Sequence, residues 1–210
     1  MSIGPQASGL RKASEDDPTD TSEAIRELAA WMDDAQLARI TWAAEMESRW
    51  NPHTENPIGA VGTWQFLPST CKALGTDAST VRNQGRADHA RLLAKMWSRK
   101  APPSRDVYVA LFYPAARGTP DDHVIFEPGS KGWQQNPGLR EKGDGPITTG
   151  RVRQLGTPPK SWPSGAELRA WAGATKSKGG GGDGGRIVVL GLLALAFWYA
   201  NKRGRRGAFI

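Results

Sequence analysis

The stretch of this chain best equipped for chemistry runs from Glu47-Ser48, through Gly59-Ala60-Val61-Gly62-Thr63-Trp64-Gln65, to Pro68-Ser69-Thr70. A helix predicted over residues 34–49 turns about 100° per residue, which sets Glu47 within about 20° of Ile40 and in the arc of Leu37 and Ala44. Glu45 is expected to point well to one side. A single carboxylate on the packed face of a helix end is held away from water, which favours its protonated form and suits a general acid. Gly59 and Gly62 permit a tight loop whose backbone can approach a ligand, and Gln65 adds an amide donor and acceptor. Pro68 suits the first turn of the next helix.

The neighbours of Glu47 carry two readings each. Ser48 could orient the carboxyl or simply end the helix. Trp64, two residues after Gly62, could stack on a sugar ring or be buried. Trp42, Trp50 and Trp97 read as core. His53, His89 and His123 have no metal-ligand spacing and are expected on the surface or in loops, so neither a metal nor a cofactor is expected. Cys71 is the one cysteine, which excludes an internal disulfide. Asp144-Gly145-Pro146-Ile147 imitates the middle of a calcium loop, but Arg140, Lys142 and Arg151 fall at ligand positions and exclude it.

These residues need helices to position them. Residues 1–20 read as a disordered arm. Ile25, Leu28, Ala29 and Met32 then recur at helical spacing behind Thr21 or Ser22 as a cap. Further helices are predicted at 34–49, 69–74, 83–99 and 105–113, the last behind Ser104, with shorter ones at 149–155 and from the Ser164–Glu167 capping box onward. No alternating strand run stands out, so the fold class is all-α. The segments are a core at 21–117, a loop-rich extension at 118–178, and a glycine-rich linker at 179–185. A transmembrane helix at 186–201 and a basic tail at 202–210 complete the expected organisation.

The loop pattern resembles that of the soluble lytic transglycosylases, whose lysozyme-like domains carry Glu-Ser at a helix end, then Gly-Ala-x-Gly-x-x-Gln running into Pro-x-Thr. Glu47, Ser48, Gly59, Ala60, Gly62, Gln65, Pro68 and Thr70 fill each fixed position. A third family element, Ala-x-x-Tyr-Asn-Ala-Gly, is similar to Ala110-Leu111-Phe112-Tyr113-Pro114-Ala115, with Pro114 in place of the asparagine and the glycine displaced. The resemblance spans roughly residues 22–117. It implies cleavage of the β-linkage between N-acetylmuramic acid and N-acetylglucosamine in peptidoglycan. Glu47 would be the acid and then the base, while Ser48, Trp64, Gln65 and Tyr113 would contact substrate. Ordinary glycosidases need two carboxylates, whereas this family uses the sugar's own hydroxyl. Glu45, Glu55 and Asp77 are candidates for a second group, so lysozyme-type hydrolysis stays open, as does a non-enzymatic glycan-binding module.

The 210 residues leave room for one ordinary domain with appendages. A net charge of +7 conceals −6 over residues 1–57, +4 over 58–150 and +9 over 151–210. The basic end is suited to anionic lipid or nucleic acid as an accessory contact, but no recognition-helix pattern supports nucleic acid as the main partner. Ile187–Ala200 is uncharged, about 21 Å long as a helix against a bilayer core of about 30 Å. Trp198, Tyr199 and the cations at 202, 203, 205 and 206 favour a membrane span with a cytoplasmic C-terminus. With no signal-peptide core at the start, delivery within a virus particle during infection is the leading expectation for localisation, and a bacterial tail-anchored enzyme the alternative.

Overall fold

The computed structural model describes residues 8–140 and 144–176. The expected linker, transmembrane segment and basic tail lie outside the described residues. Among the described residues no helix is long and apolar enough to cross a membrane.

Helices dominate. In chain order they are α1 (Ser8–Asp16), α2 (Pro18–Ala29), α3 (Asp34–Ser48), α4 (Pro68–Ala73), α5 (Ala78–Arg82), α6 (Arg86–Met96), α7 (Val107–Phe112), α8 (Lys131–Gln135), α9 (Thr149–Leu155) and α10 (Gly165–Lys176). A small antiparallel pair interrupts them, β1 (Val124–Phe126) with β2 (Ile147–Thr148). The predicted helix at 83–99 is shorter, Arg86–Met96, because Gly85 caps it in extended backbone and Trp97 ends it, while α5 precedes it as a separate helix. The one at 105–113 begins with a single 3-10 turn at Ser104–Asp106, whose cap position is Pro103 rather than the expected Ser104.

Helix α3 has the strongest local signals. Asp33 and Gln36 form a reciprocal capping box at its start. At its end Arg49 and Trp50 both adopt left-handed backbone, at φ 53° and 61°. Residues other than glycine hold that conformation only when their surroundings enforce it. Trp50 is buried, its backbone amide donates to the Ala44 carbonyl, and its own carbonyl accepts from Arg86 Nε at 2.8 Å. The chain is thus turned sharply directly after Glu47 and Ser48.

Residues 8–16 correct the expectation of a disordered arm. A nine-residue helix is too short to persist alone, but α1 buries Leu10 and Ala13, and its first amides meet the Glu45 carboxylate. The cap of α2 is Asp17, four residues earlier than predicted, while Thr21 turns inward and donates its hydroxyl to the Ala13 carbonyl. Replacing Leu10 with Ala is expected to cost about 2 kcal/mol, a low-end value for a core leucine at the rim. Chemical denaturation measures it, and an unchanged midpoint would show that α1 does not stabilise the fold.

The boundary expected at 117 is not a break in packing. Leu139, Ile147, Val152, Trp162, Leu168 and Ala172 belong to the same apolar cluster as Ile25, Leu37 and Val107. Helix α10, begun by the expected Ser164–Glu167 capping box, packs on α2 and α3, and α9 packs on α7.

Candidate active site

Glu47 lies in the last turn of α3, with part of its surface open to solvent. Its Oε1 accepts a hydrogen bond from the Tyr108 hydroxyl at 2.7 Å. Protein atoms crowding the carboxyl raise its pKa above the ordinary value, and the Tyr108 bond opposes that only in part. Burial together with the neighbouring carboxylate pushes the Tyr108 hydroxyl well above its own ordinary range, so it stays a donor. The crowded carboxyl can keep its proton at higher pH than a free glutamate and deliver it to a group at the open side, while the Tyr108 bond holds it in place.

Ser48 does not bond Glu47. Its buried hydroxyl lies 3.2 Å from the Ala44 carbonyl and 2.9 Å from the Thr63 carbonyl, and so it ties the end of α3 to the glycine loop. In that loop Val61 and Phe66 exchange two backbone bonds. Gly62 sits at φ 82°, and a Cβ there would come within 2.7 Å of His89 Cε1. Both the backbone and the space therefore demand glycine. Gln65, also left-handed at φ 50°, donates from Nε2 to the carbonyls of Thr54 at 3.2 Å and Gly62 at 3.0 Å. Its amide nitrogen is spent on holding the loop.

Trp64 is not a sugar platform. It is buried, its Nε1 donates to the Ile40 carbonyl at 3.0 Å, and its ring meets Trp50 edge-on at 6.0 Å. Tyr113 is half-buried and packs edge-on against Phe126 at 5.5 Å, five residues beyond the tyrosine whose hydroxyl reaches Glu47. The sequence reading missed Tyr108. Its available signal was the pairing with Phe112 at i+4 on one helix face, where the two rings stack at 6.4 Å.

His89 also departs from expectation, being buried rather than on the surface. Its Nε2 faces the Val81 carbonyl at 2.8 Å and its Nδ1 accepts from the Thr63 amide at 3.2 Å, which selects the neutral ring with the proton on Nε2. Burial lowers its pKa from the ordinary 6.5. The unfolded chain therefore binds the extra proton first, so His89 contributes stability that is full above about pH 6.5 and is lost as pH falls toward the depressed folded value. Denaturant melts between pH 7 and 5 should show that loss, and His89→Gln should flatten it. An equal slope in wild type and variant would contradict the assignment.

The three candidates for a second carboxylate are committed elsewhere. Glu45 is buried rather than turned aside, and accepts from the Gly9 and Leu10 amides at 3.0 and 2.9 Å. Glu55 pairs with Arg82 at 2.6 Å. Asp77 caps α5 through Thr80, whose amide bond holds it below the usual carboxylate range. Among the described residues no group of His, Cys, Asp and Glu could hold a metal ion.

One comparison with known proteins bears on this arrangement. Residues 25–89 match the family model of the transglycosylase SLT domain. The match supports the lytic transglycosylase family and, with it, peptidoglycan as substrate. It takes in Glu47, the glycine loop and His89, but stops short of Tyr108, α9 and α10. Neither the curated proteins nor the solved structures yield a match.

Proposed function

We propose that the protein is a peptidoglycan lytic transglycosylase that cleaves the bond between N-acetylmuramic acid and N-acetylglucosamine to give anhydro-muropeptides. The observation that carries this reading is the isolation of Glu47 as a proton-retaining carboxyl at the solvent-facing end of α3, with Glu45, Glu55 and Asp77 each engaged elsewhere. Glu47 gives its proton to the glycosidic oxygen as the bond to the muramyl anomeric carbon breaks. The muramyl residue's own hydroxyl then closes on that carbon, and its proton returns to the Glu47 carboxylate. No water is consumed and no second carboxylate is required. Ser48 serves by tying the glycine loop to the end of α3 and Gln65 by bracing that loop, and Tyr113, packed on Phe126, remains a candidate substrate contact.

Purified peptidoglycan sacculi provide the test. The protein should clear their turbidity, whereas co-sedimentation without clearing would assign a glycan-binding role instead. For localisation we carry tethering to a lipid layer through residues 186–201 and delivery within a virus particle. The apolar run and the cations that follow it support this tethering. Immunodetection in purified particles should find the protein, and its absence from them would remove the viral reading.

A further inference from the structure

We infer that α9 and the turn ending it hold Tyr108 against Glu47, which makes Arg153 and Gly156 positioning residues for the acid. The inference rests on the reading of Glu47 given above, and it assigns a catalytic purpose to a segment outside the SLT match.

Three contacts converge. At the base of α7, Arg153 Nε donates to buried Asp106 Oδ1 at 2.7 Å, and its Nη1 pairs with Asp121. Asp106 stands two residues before Tyr108, and its other oxygen accepts from the Gly118 amide at 3.0 Å. The start of α7 is therefore pinned from one side. Three residues further on, at the C-cap of α9, Gly156 lies directly on Tyr108. A Cβ there would overlap Tyr108 Cβ and come within 2.9 Å of its Cγ. The third contact returns to the helix that bears the acid. On α3, Trp42 Nε1 donates to the Leu155 carbonyl at 3.0 Å, and Arg39 Nη1 reaches the Gly156 carbonyl at 3.3 Å and Thr157 Oγ1 at 3.0 Å. The tyrosine is thus clamped between its own helix and a turn anchored on the helix of its partner carboxyl. Gly156 has φ −72°, which an alanine adopts without backbone strain, and the three atoms nearest its Cβ would all belong to the tyrosine.

Among the described residues, several charged and titratable groups are bonded to this clamp or to the helices it joins. They are Tyr108 on α7, Glu45 and Arg39 on α3 engaged with α1 and the 155–157 turn, and Arg153 with Asp106 and Asp121. Among them only Tyr108 bonds the Glu47 carboxyl, and that bond favours the ionised form. Displacing the tyrosine should therefore raise the pKa of Glu47 and carry the high-pH limb of activity upward.

The test compares Gly156→Ala, Arg153→Lys and Tyr108→Phe in the full chain, using rates of peptidoglycan clearing at saturating substrate across pH. Each should lose on the order of 10- to 100-fold in maximal rate. Each should also move the high-pH limb upward, and the double variant Gly156→Ala with Tyr108→Phe should add nothing to Tyr108→Phe alone. A folded Gly156→Ala protein with wild-type rate and limb, or additive effects in the double variant, would overturn the inference. Loss of the fold in both Gly156→Ala and Arg153→Lys would overturn it in favour of a purely structural role. Full activity in Glu47→Gln would instead defeat the underlying reading of the acid.

Discussion

Glu47→Gln should lose peptidoglycan clearing by about 10²- to 10⁴-fold, the range that a positioned general acid supplies. An amide keeps the size of the carboxyl and can still accept from the Tyr108 hydroxyl, so the local packing is preserved. What it lacks is an acidic proton for the glycosidic oxygen. The buried carboxyl in the native protein also pays a desolvation cost that the amide avoids, so the variant should melt no lower than wild type. The two measurements belong together, since inactivity with an unchanged or higher melting temperature isolates the chemistry. The wild-type pH profile has a sign fixed by the same geometry. Burial raises the pKa of Glu47, so its acid form persists past the ordinary carboxyl range, and activity declines as pH rises through that raised value. Retained clearing in the Gln variant would remove Glu47 from the chemistry.

The second large effect is on stability. Trp64→Ala should cost about 3–5 kcal/mol, because the indole is fully enclosed and the cavity can close only in part. For a chain of this size that corresponds to a fall of roughly 10 °C in melting temperature. The loss should include the tie from Nε1 to the Ile40 carbonyl and the edge contact with Trp50, which together fasten the glycine loop to α3. A tryptophan acting as a sugar platform would behave differently, leaving the melt unchanged while weakening substrate binding. Thermal melts alongside half-saturation for peptidoglycan separate the two outcomes.

Much of the site was legible because its signals are local. The end of α3, the glycine loop and the proline that opens α4 are written within 25 consecutive residues, from Glu47 to Cys71, and each depends on near neighbours. The Ser164–Glu167 capping box is local in the same way. What escaped depends on contacts distant in sequence. Helix α1 is short and strongly charged, and it folds because its first amides find Glu45 across 36 and 35 positions. The burial of Glu45 follows from that docking and could not be read from its angle on a helical wheel. His89 carries no metal-ligand spacing, yet its two ring nitrogens are matched to carbonyl and amide groups of a loop and a helix folded beside it. The linear pattern of the family element points to Tyr113 and carries no mark for Tyr108, whose role depends on a contact with α3 sixty-one positions away. The structure selects by reach, and the chain near Pro114 turns Tyr113 toward Phe126.

The most direct test of single-carboxylate cleavage is mass spectrometry of the muropeptides released from peptidoglycan digested in isotopically heavy water. Ring closure by the sugar's own hydroxyl predicts anhydro-muramyl ends that carry no label from the solvent. Reducing ends labelled with solvent oxygen would contradict it, because water would then have been the nucleophile and a second activating group would be required.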